Sequence, residues 1–301
     1  MIPNFPTFKK LELSDKADIQ AFTFKFPSYS DFNFLSMWTY NVSNMIEISN
    51  LFGNLVVKFQ DYQSDNFFYS FLGFCNIVET IDILLDKSGS NGIENYLSLI
   101  PEDCVNKQLS ELTQQFNVCE NRDDFDYICS LSELSRLDGS KYHNWRNLAN
   151  RFTRDTKNYQ VDVVDITNSK AAIRVESLFE IWEESRHKKL LHESIAIKRL
   201  LQDAKSFNNL VSTGIYVESE LIAWGVCEII NKECAIGHYR KADAKYPGIF
   251  QFLEQQIALN LINYGVEYLN FEQDFGIPGL RHYKESLRPV SFLKKYTISK
   301  K

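Results

Sequence analysis

The closing stretch of the chain, from Gly248 to Lys300, narrows the possible folds more than any other segment. Apolar residues at Ile249, Leu253, Ile257, Leu261 and Ile262 keep helical spacing, and Gly265 ends the run. Val266 to Phe271 follows as a short β-rich segment. It breaks into Glu272-Gln273-Asp274-Phe275-Gly276-Ile277-Pro278-Gly279, where two glycines and a proline shape a turn that opens a helix. A last strand completes the order helix, strand, short helix, strand. Backbone N–H groups at such a helix start can receive an anion or a polarised carbonyl. Two carboxylates beside them give this loop the makings of a site.

A chain of 301 residues, 44% hydrophobic, can fill the cores of two ordinary domains. Its 23 Phe and 15 Tyr serve first as large core side chains. A net charge of −6 provides no global field for nucleic acid or an anionic membrane, although a local basic patch can still act. The opening MIPNFPTFKKLELSD lacks the apolar core of a signal peptide. No window reaches the roughly 20 apolar residues that span a bilayer. Even the greasy strand Leu221 to Ile230 contains Glu228. Cys75, Cys104, Cys119, Cys129, Cys227 and Cys234 show no CxxC spacing and fall mostly in apolar runs, which suits free thiols better than disulfides or zinc. The expectation is a soluble cytoplasmic protein with no membrane span.

Periodicity gives two similar halves. In the second, Lys170 to His187 and Ala196 to Leu210 are amphipathic helices, with Ile173, Leu178, Ile181 and Trp182 on the apolar face of the first. Strands Gly214 to Val217 and Leu221 to Ile230 flank the turn Glu218-Ser219-Glu220, and Ala235 to Arg240 is a third. The first half runs from a helix at Asp15 to Phe26 through strands at Met45 to Ser49, Leu55 to Phe59 and Phe67 to Leu72. A helix at Ile77 to Leu85, a strand at Tyr96 to Ile100, a helix at Val105 to Phe116 and a strand at Asp126 to Leu131 follow. What repeats is the order of elements, not residue identity. Between the halves, Asp138 or Ser140 caps a helix carrying Lys141, Arg146, Arg151 and Arg154. The expected organisation is 1–136 as a first domain, 137–160 as a basic junction, and 161–301 as a second domain carrying the site.

The order helix, helix, three strands, helix, strand, helix, strand resembles the acyltransferase fold of the GNAT superfamily. Three blocks narrow the resemblance. The tail Glu272-Gln273-Asp274-Phe275-Gly276-Ile277-Pro278-Gly279-Leu280-Arg281, with Lys284, Ser286 and Pro289, looks like the closing motif of a bacterial family. That family is related to the C-terminal domain of phosphatidylglycerol lysyltransferase. Lys141-Tyr142 with Arg146-Asn147 and Phe152 looks like its central basic motif, and Tyr29-Ser30-Asp31-Phe32-Asn33-Phe34 with Trp38 like its N-terminal signature. Members are double-GNAT proteins similar to the Fem-type peptidoglycan aminoacyltransferases. The resemblance therefore implies an α+β fold with mixed sheets in tandem GNAT-like domains. Trp145 departs from the basic residue the family often has before the Arg-Asn pair. The Arg/Gln-x-x-Gly-x-Gly/Ala pyrophosphate loop of acetyl-CoA users is missing, and Lys241-Ala242-Asp243-Ala244-Lys245-Tyr246-Pro247-Gly248 stands in its place.

Several residues become candidates. Lys241, Asp243, Lys245 and Gly248 belong to a loop before a helix that can hold a phosphate or a terminal ribose, or simply form an exposed turn. Glu272 and Asp274 sit two apart, so in an extended segment both face one cleft, where one can take a proton from an attacking amine. The alternative is that they cap the Gly-Ile-Pro-Gly turn. Arg281 and Lys284 lie about one turn apart and can clamp a charged end or pair with Glu285. Arg146 and Asn147 can orient substrate, or belong to a solvated helix face. His187 and His192 have the wrong spacing for a shared metal, and no metal site is expected. His238, within a strand, and His282 are candidate proton carriers or structural residues.

The expected reaction moves an aminoacyl group from aminoacyl-tRNA, as co-substrate, to an amine or hydroxyl of a small molecule or peptide. No resident cofactor is needed, because a fixed ester, a deprotonated acceptor and N–H donors for the oxyanion supply most of the gain. Acyl-CoA-dependent N-acetylation is the alternative donor chemistry. A catalytically silent module binding a ligand in an interdomain cleft is the alternative class.

Overall fold

The computed structural model describes residues 1–61, 66–89, 92–185 and 191–301. Contacts divide the chain into two units. The first comprises Met1–Asp126, Gln273–Arg281 and Phe292–Lys301, and the second Tyr127–Glu272 and His282–Ser291.

The first unit is built on β1 (Lys9–Lys10), β2 (Glu47–Leu51), β3 (Asn54–Gln60), β4 (Phe67–Leu72), β5 (Ile93–Pro101), β6 (Phe116–Glu120) and β14 (Lys295–Lys300). The sheet order is β1-β2-β3-β4-β5-β14-β6. Pairing is antiparallel except at β4 and β5, which run parallel and are joined by the helix Ile77–Lys87. The second unit uses β7 (Asp126–Ser130), β8 (Tyr159–Val163), β9 (Leu210–Val217), β10 (Glu220–Ile229), β11 (Cys234–Ala242), β12 (Tyr268–Asn270) and β13 (Ser291–Leu293). Its order is β13-β7-β12-β11-β10-β9-β8. Here β11 and β12 are the parallel pair, joined by the helix Ile249–Asn263.

Both sheets start from hairpins closed by two residues in the left-handed region. Phe52 and Gly53 have φ of 56° and 90°, and Glu218 and Ser219 have 51° and 70°, the geometry that matches strand twist. Apolar side chains from both faces of β10 and β11 are buried, as expected of central strands covered on two sides. The α+β class is the fold observed, with one mixed sheet in each of the two units.

The domain limits differ from the expected ones. After the parallel pair, unit one takes β14 from the end of the chain, and unit two takes β7 from the first half of the sequence. Residues 127–136, 273–281 and 292–301 therefore change sides relative to a split at 137–160. Long-range backbone pairing decides this: β14 bonds β5 on one edge and β6 on the other, and β7 bonds β12.

Most elements lie within a few residues of their expected places. The helix expected over Val105 to Phe116 is shorter, Leu109–Gln115, and Phe116 already opens β6. Neither β6 nor β8 was anticipated. Both are sheet edges, and an edge strand exposed on two faces shows little apolar alternation. The junction helix is His143–Asp155, with no side-chain cap from Asp138 or Ser140. Among the described residues, no helix is long and apolar enough to cross a membrane.

Candidate functional site

In the second unit, β11 continues to Ala242 but pairs with β12 only from Cys234 to Ile236. Just beyond the last pair the other edge of β11 is irregular. Gly237 opposes Cys227 and Tyr239 opposes Val226, so His238 is the extra residue of a bulge. A bulge re-aims a side chain without breaking the strand. His238 Nδ1 lies 3.4 Å from Glu272 Oε1, and Nε2 lies 3.6 Å from Glu228 Oε2. The imidazole and Glu228 are buried, whereas the Glu272 side chain keeps 20% of its surface exposed. Asn209 Nδ2 donates to Glu228 Oε1 at 3.1 Å.

Glu272 reaches His238 because it leaves β12 in the left-handed region, with φ of 57°, while its N–H donates to Asn270 Oδ1 at 2.7 Å. Burial works against a charged His238, but the Glu228 and Glu272 carboxylates on either side of the ring outweigh it and raise the imidazole above its ordinary range. The result is a carboxylate–imidazole–carboxylate chain that is open at Glu272 and closed at Glu228. It can take up a proton at one end and stabilise it within.

Asp274 does not join this chain. The left-handed turn at Glu272 breaks the extended geometry that would have aimed both carboxylates one way, and the boundary between units falls between Glu272 and Gln273. Within the first unit, Arg281 grips the fully buried Asp274 with two bonds, Nε to Oδ2 at 3.0 Å and Nη2 to Oδ1 at 2.7 Å. Arg122 approaches Oδ2 at 3.5 Å, and the N–H of Gly276 donates to Oδ1 at 2.8 Å. Arg281 also bonds Asp123 at 2.5 Å. A carboxylate so engaged is a structural hub and a poor proton acceptor.

The loop expected to hold a donor is largely occupied with its own packing. Lys241 is buried, 2.6 Å from Glu193 Oε1 and 3.6 Å above the centre of the Trp182 ring. Asp243 Oδ1 accepts the N–H of Lys245, and its Oδ2 meets Lys245 Nζ at 2.7 Å. Gly248 has φ of 85°, and a Cβ there would stand 1.9 Å from the Leu148 carbonyl oxygen, so this glycine lets two helices touch. Of the four residues, Lys245 alone is exposed.

The junction residues are likewise committed. Arg146 donates to the carbonyls of Leu137 at 2.6 Å and Gly139 at 3.2 Å, and Asn147 Nδ2 lies 2.9 Å from His143 Nε2. Lys141 pairs with Glu133, and Arg151 and Arg154 with Asp155. Lys284 is buried, and His282 is exposed. His187 lies outside the described residues.

Sequence reasoning missed two groups. Glu228 had a signal, being the one acid within the apolar run Leu221–Ile229, but its partner could not be read locally. The other group is in the first unit, where fully buried Lys295 binds Asp31, Asp126 Oδ1 at 2.7 Å and Gln273 Oε1 at 3.3 Å. Ser30 Oγ donates to Asp126 Oδ1 at 2.7 Å. Burial, then Asp31, Asp123 and Asp126 against the opposing Lys295, push nearby Asp124 up to about 7.

A profile of the family described as phosphatidylglycerol lysyltransferase, C-terminal, matches residues 103–299, more than half of the chain. The chain belongs to this family. The match takes in Glu228, His238 and Glu272, and also Asp274, Arg281 and Lys295. Among solved structures, a conserved protein of unknown function from Bacteroides thetaiotaomicron has a TM-score of 0.84 at 24% identity, with 100% of both chains covered. The C-terminal domain of a candidate lysylphosphatidylglycerol synthetase from Agrobacterium fabrum has a TM-score of 0.63 at 13% identity, covering 95% of this chain and 92% of that one. The structure of L-PGS from Bacillus licheniformis gives 0.62 at 14%, covering 100% and 94%. At these identities the likenesses speak to fold alone. Comparison with curated protein sequences yields no match. The family relation groups the chain with acyltransferases.

Proposed function

We propose that this protein transfers an aminoacyl group from aminoacyl-tRNA to an amine or hydroxyl acceptor, with the reaction centred on Glu272 in the second unit. The observation that carries the reading is the Glu228–His238–Glu272 chain, set at the bulge of β11 just past its last pair with β12. Glu272 is the proton acceptor, since its edge is exposed. His238 stabilises and carries the proton, and Glu228 with Asn209 fixes the ring. The acceptor nitrogen or oxygen forms the new bond to the acyl carbon and gives its proton to Glu272. The donor's ester C–O bond then breaks, and the leaving oxygen takes a proton from the same chain. Asp274, Arg281 and Arg146 support the scaffold in this scheme, and Lys245, exposed although paired with Asp243, is the loop cation that faces solvent for a donor phosphate. Family membership favours an aminoacyl donor over acyl-CoA.

The test is single-turnover transfer from an aminoacylated RNA minihelix to a panel of amines and alcohols, with acetyl-CoA as the competing donor. Transfer from the RNA, lost in Glu272→Gln with the fold intact, supports the reading. Transfer from acetyl-CoA alone overturns the donor. Tight donor binding without turnover overturns catalysis in favour of a binding module.

A further inference from the structure

Three turns of the first unit carry exposed phenylalanines: Phe24 is 54% exposed, Phe74 49% and Phe52 42%. They lie at one end of the unit. Asn54 Nδ2 donates to the Cys75 carbonyl at 2.7 Å, and the Cys75 N–H returns to Asn54 Oδ1 at 3.0 Å, which joins the turn after β2 to the turn after β4. Phe26, two residues beyond Phe24, places its ring 4.8 Å from Phe74 and 5.4 Å from Phe22. Lysines close both ends of this ring column. Lys25 stands 5.8 Å from the Phe22 centroid and Lys107 5.1 Å from that of Phe74.

We propose that this phenylalanine-tipped, lysine-flanked end of the first unit docks the protein on the surface of an anionic lipid bilayer. Apolar rings presented from several turns gain by leaving water for the acyl boundary, and neighbouring lysines are drawn to anionic headgroups. The long lysine stems can lie along the rings while the ammonium groups stay at headgroup level. A single-stranded nucleic acid fits less well. Base stacking needs open aromatic faces, and in the Phe22–Phe26–Phe74 column the rings stand against one another and against the two ammonium groups. Phenylalanine also offers no polar group to read a base edge. The proposal is independent of the chemistry assigned to the second unit.

Co-sedimentation of the full chain with phosphatidylcholine vesicles, with and without phosphatidylserine, tests it. Binding is expected on the anionic vesicles and should weaken as salt is raised. Phe24→Ser with Phe52→Ser, neither ring belonging to the column, should lower partitioning about tenfold with the melting temperature unchanged. Lys25→Gln with Lys107→Gln should cost roughly tenfold on anionic vesicles and nothing on neutral ones. Absence of vesicle binding, or binding that ignores all four substitutions, overturns the proposal. So does binding of a single-stranded oligonucleotide without vesicle binding. A dimer in solution that the serine pair dissociates would reassign the surface to a second copy of the chain.

Discussion

Strand β4 of the first unit and strand β11 of the second hold the same place in the same architecture. Each is the last antiparallel strand before a parallel partner reached through a long helix. Their chemistry is opposite. β4 reads Phe-Phe-Tyr-Ser-Phe-Leu and pairs with β3 in unbroken register from Gln60–Phe67 to Leu55–Leu72. β11 carries a bulge at that edge, and the extra residue is a histidine held between two glutamates. Regular pairing buries a strand on both sides and suits aromatic side chains. An added residue turns one side chain out of the pleat, and an imidazole can sit there because Glu228 and Glu272 offset the burial of its charge. One copy of the fold thus keeps an apolar strand as scaffold, and the other has the means for proton transfer.

The first unit places its buried charge elsewhere, around Lys295 on the strand recruited from the chain's end. Lys295→Met should have the largest effect, because it leaves Asp31 and Asp126 buried without their cation. A loss of about 3–5 kcal/mol is expected in urea unfolding. A loss below the range of ordinary surface changes would show that the cluster does not hold the exchanged strand. Glu272→Gln sharpens the contrast between the units on activity: kcat should fall on the order of 10²-fold with stability nearly intact. Tyr69→Phe, on β4, should leave the rate unchanged. Equal losses from the two would end the division into scaffold and site. Gly248→Ala forces a side chain into the left-handed region against Leu148 and should cost about 2 kcal/mol, read by thermal melting.

Two pH effects are smaller. The rate should rise with pH through an inflection above the ordinary imidazole value of about 6.5, because neutral His238 is the form that can receive a proton. Glu228→Gln removes one cause of that raised value, so the inflection should move to lower pH. A stationary inflection would assign it to another group. In the first unit, Asp124 holds its proton more tightly when folded, near 7, than in an unfolded chain, near about 3.9. Stability from this group is complete below the unfolded value and declines as pH climbs toward 7. Asp124→Asn should flatten that slope in unfolding measured across the interval.

Much of the fold could be read from the chain because it is local. Apolar spacing located the helix Ile249–Asn263 and strands such as Phe67–Leu72, and Glu218-Ser219 marked a hairpin. The edge strands Phe116–Glu120 and Tyr159–Val163 were illegible because neither buries a clean face. The candidate site was half legible. Glu272 stood out after a strand and His238 within one, but their pairing depends on a left-handed turn and a bulge that residue type does not announce. Asp274 and Arg281, equally prominent in sequence, are taken up by each other.

Periodicity and turn chemistry alone therefore determined the central helices and strands, though not the edge strands, and that the order is laid down twice. These are properties of neighbouring residues. Only tertiary structure decided which sheet each closing strand completes, since backbone edges are interchangeable until distant contacts choose between them. Lys295 finds its carboxylates in the first unit, and β7 finds β12 in the second. The same long-range packing selected Glu272 over Asp274 as the carboxylate beside His238, because burial and partners, not residue type, decide which charge remains available for chemistry.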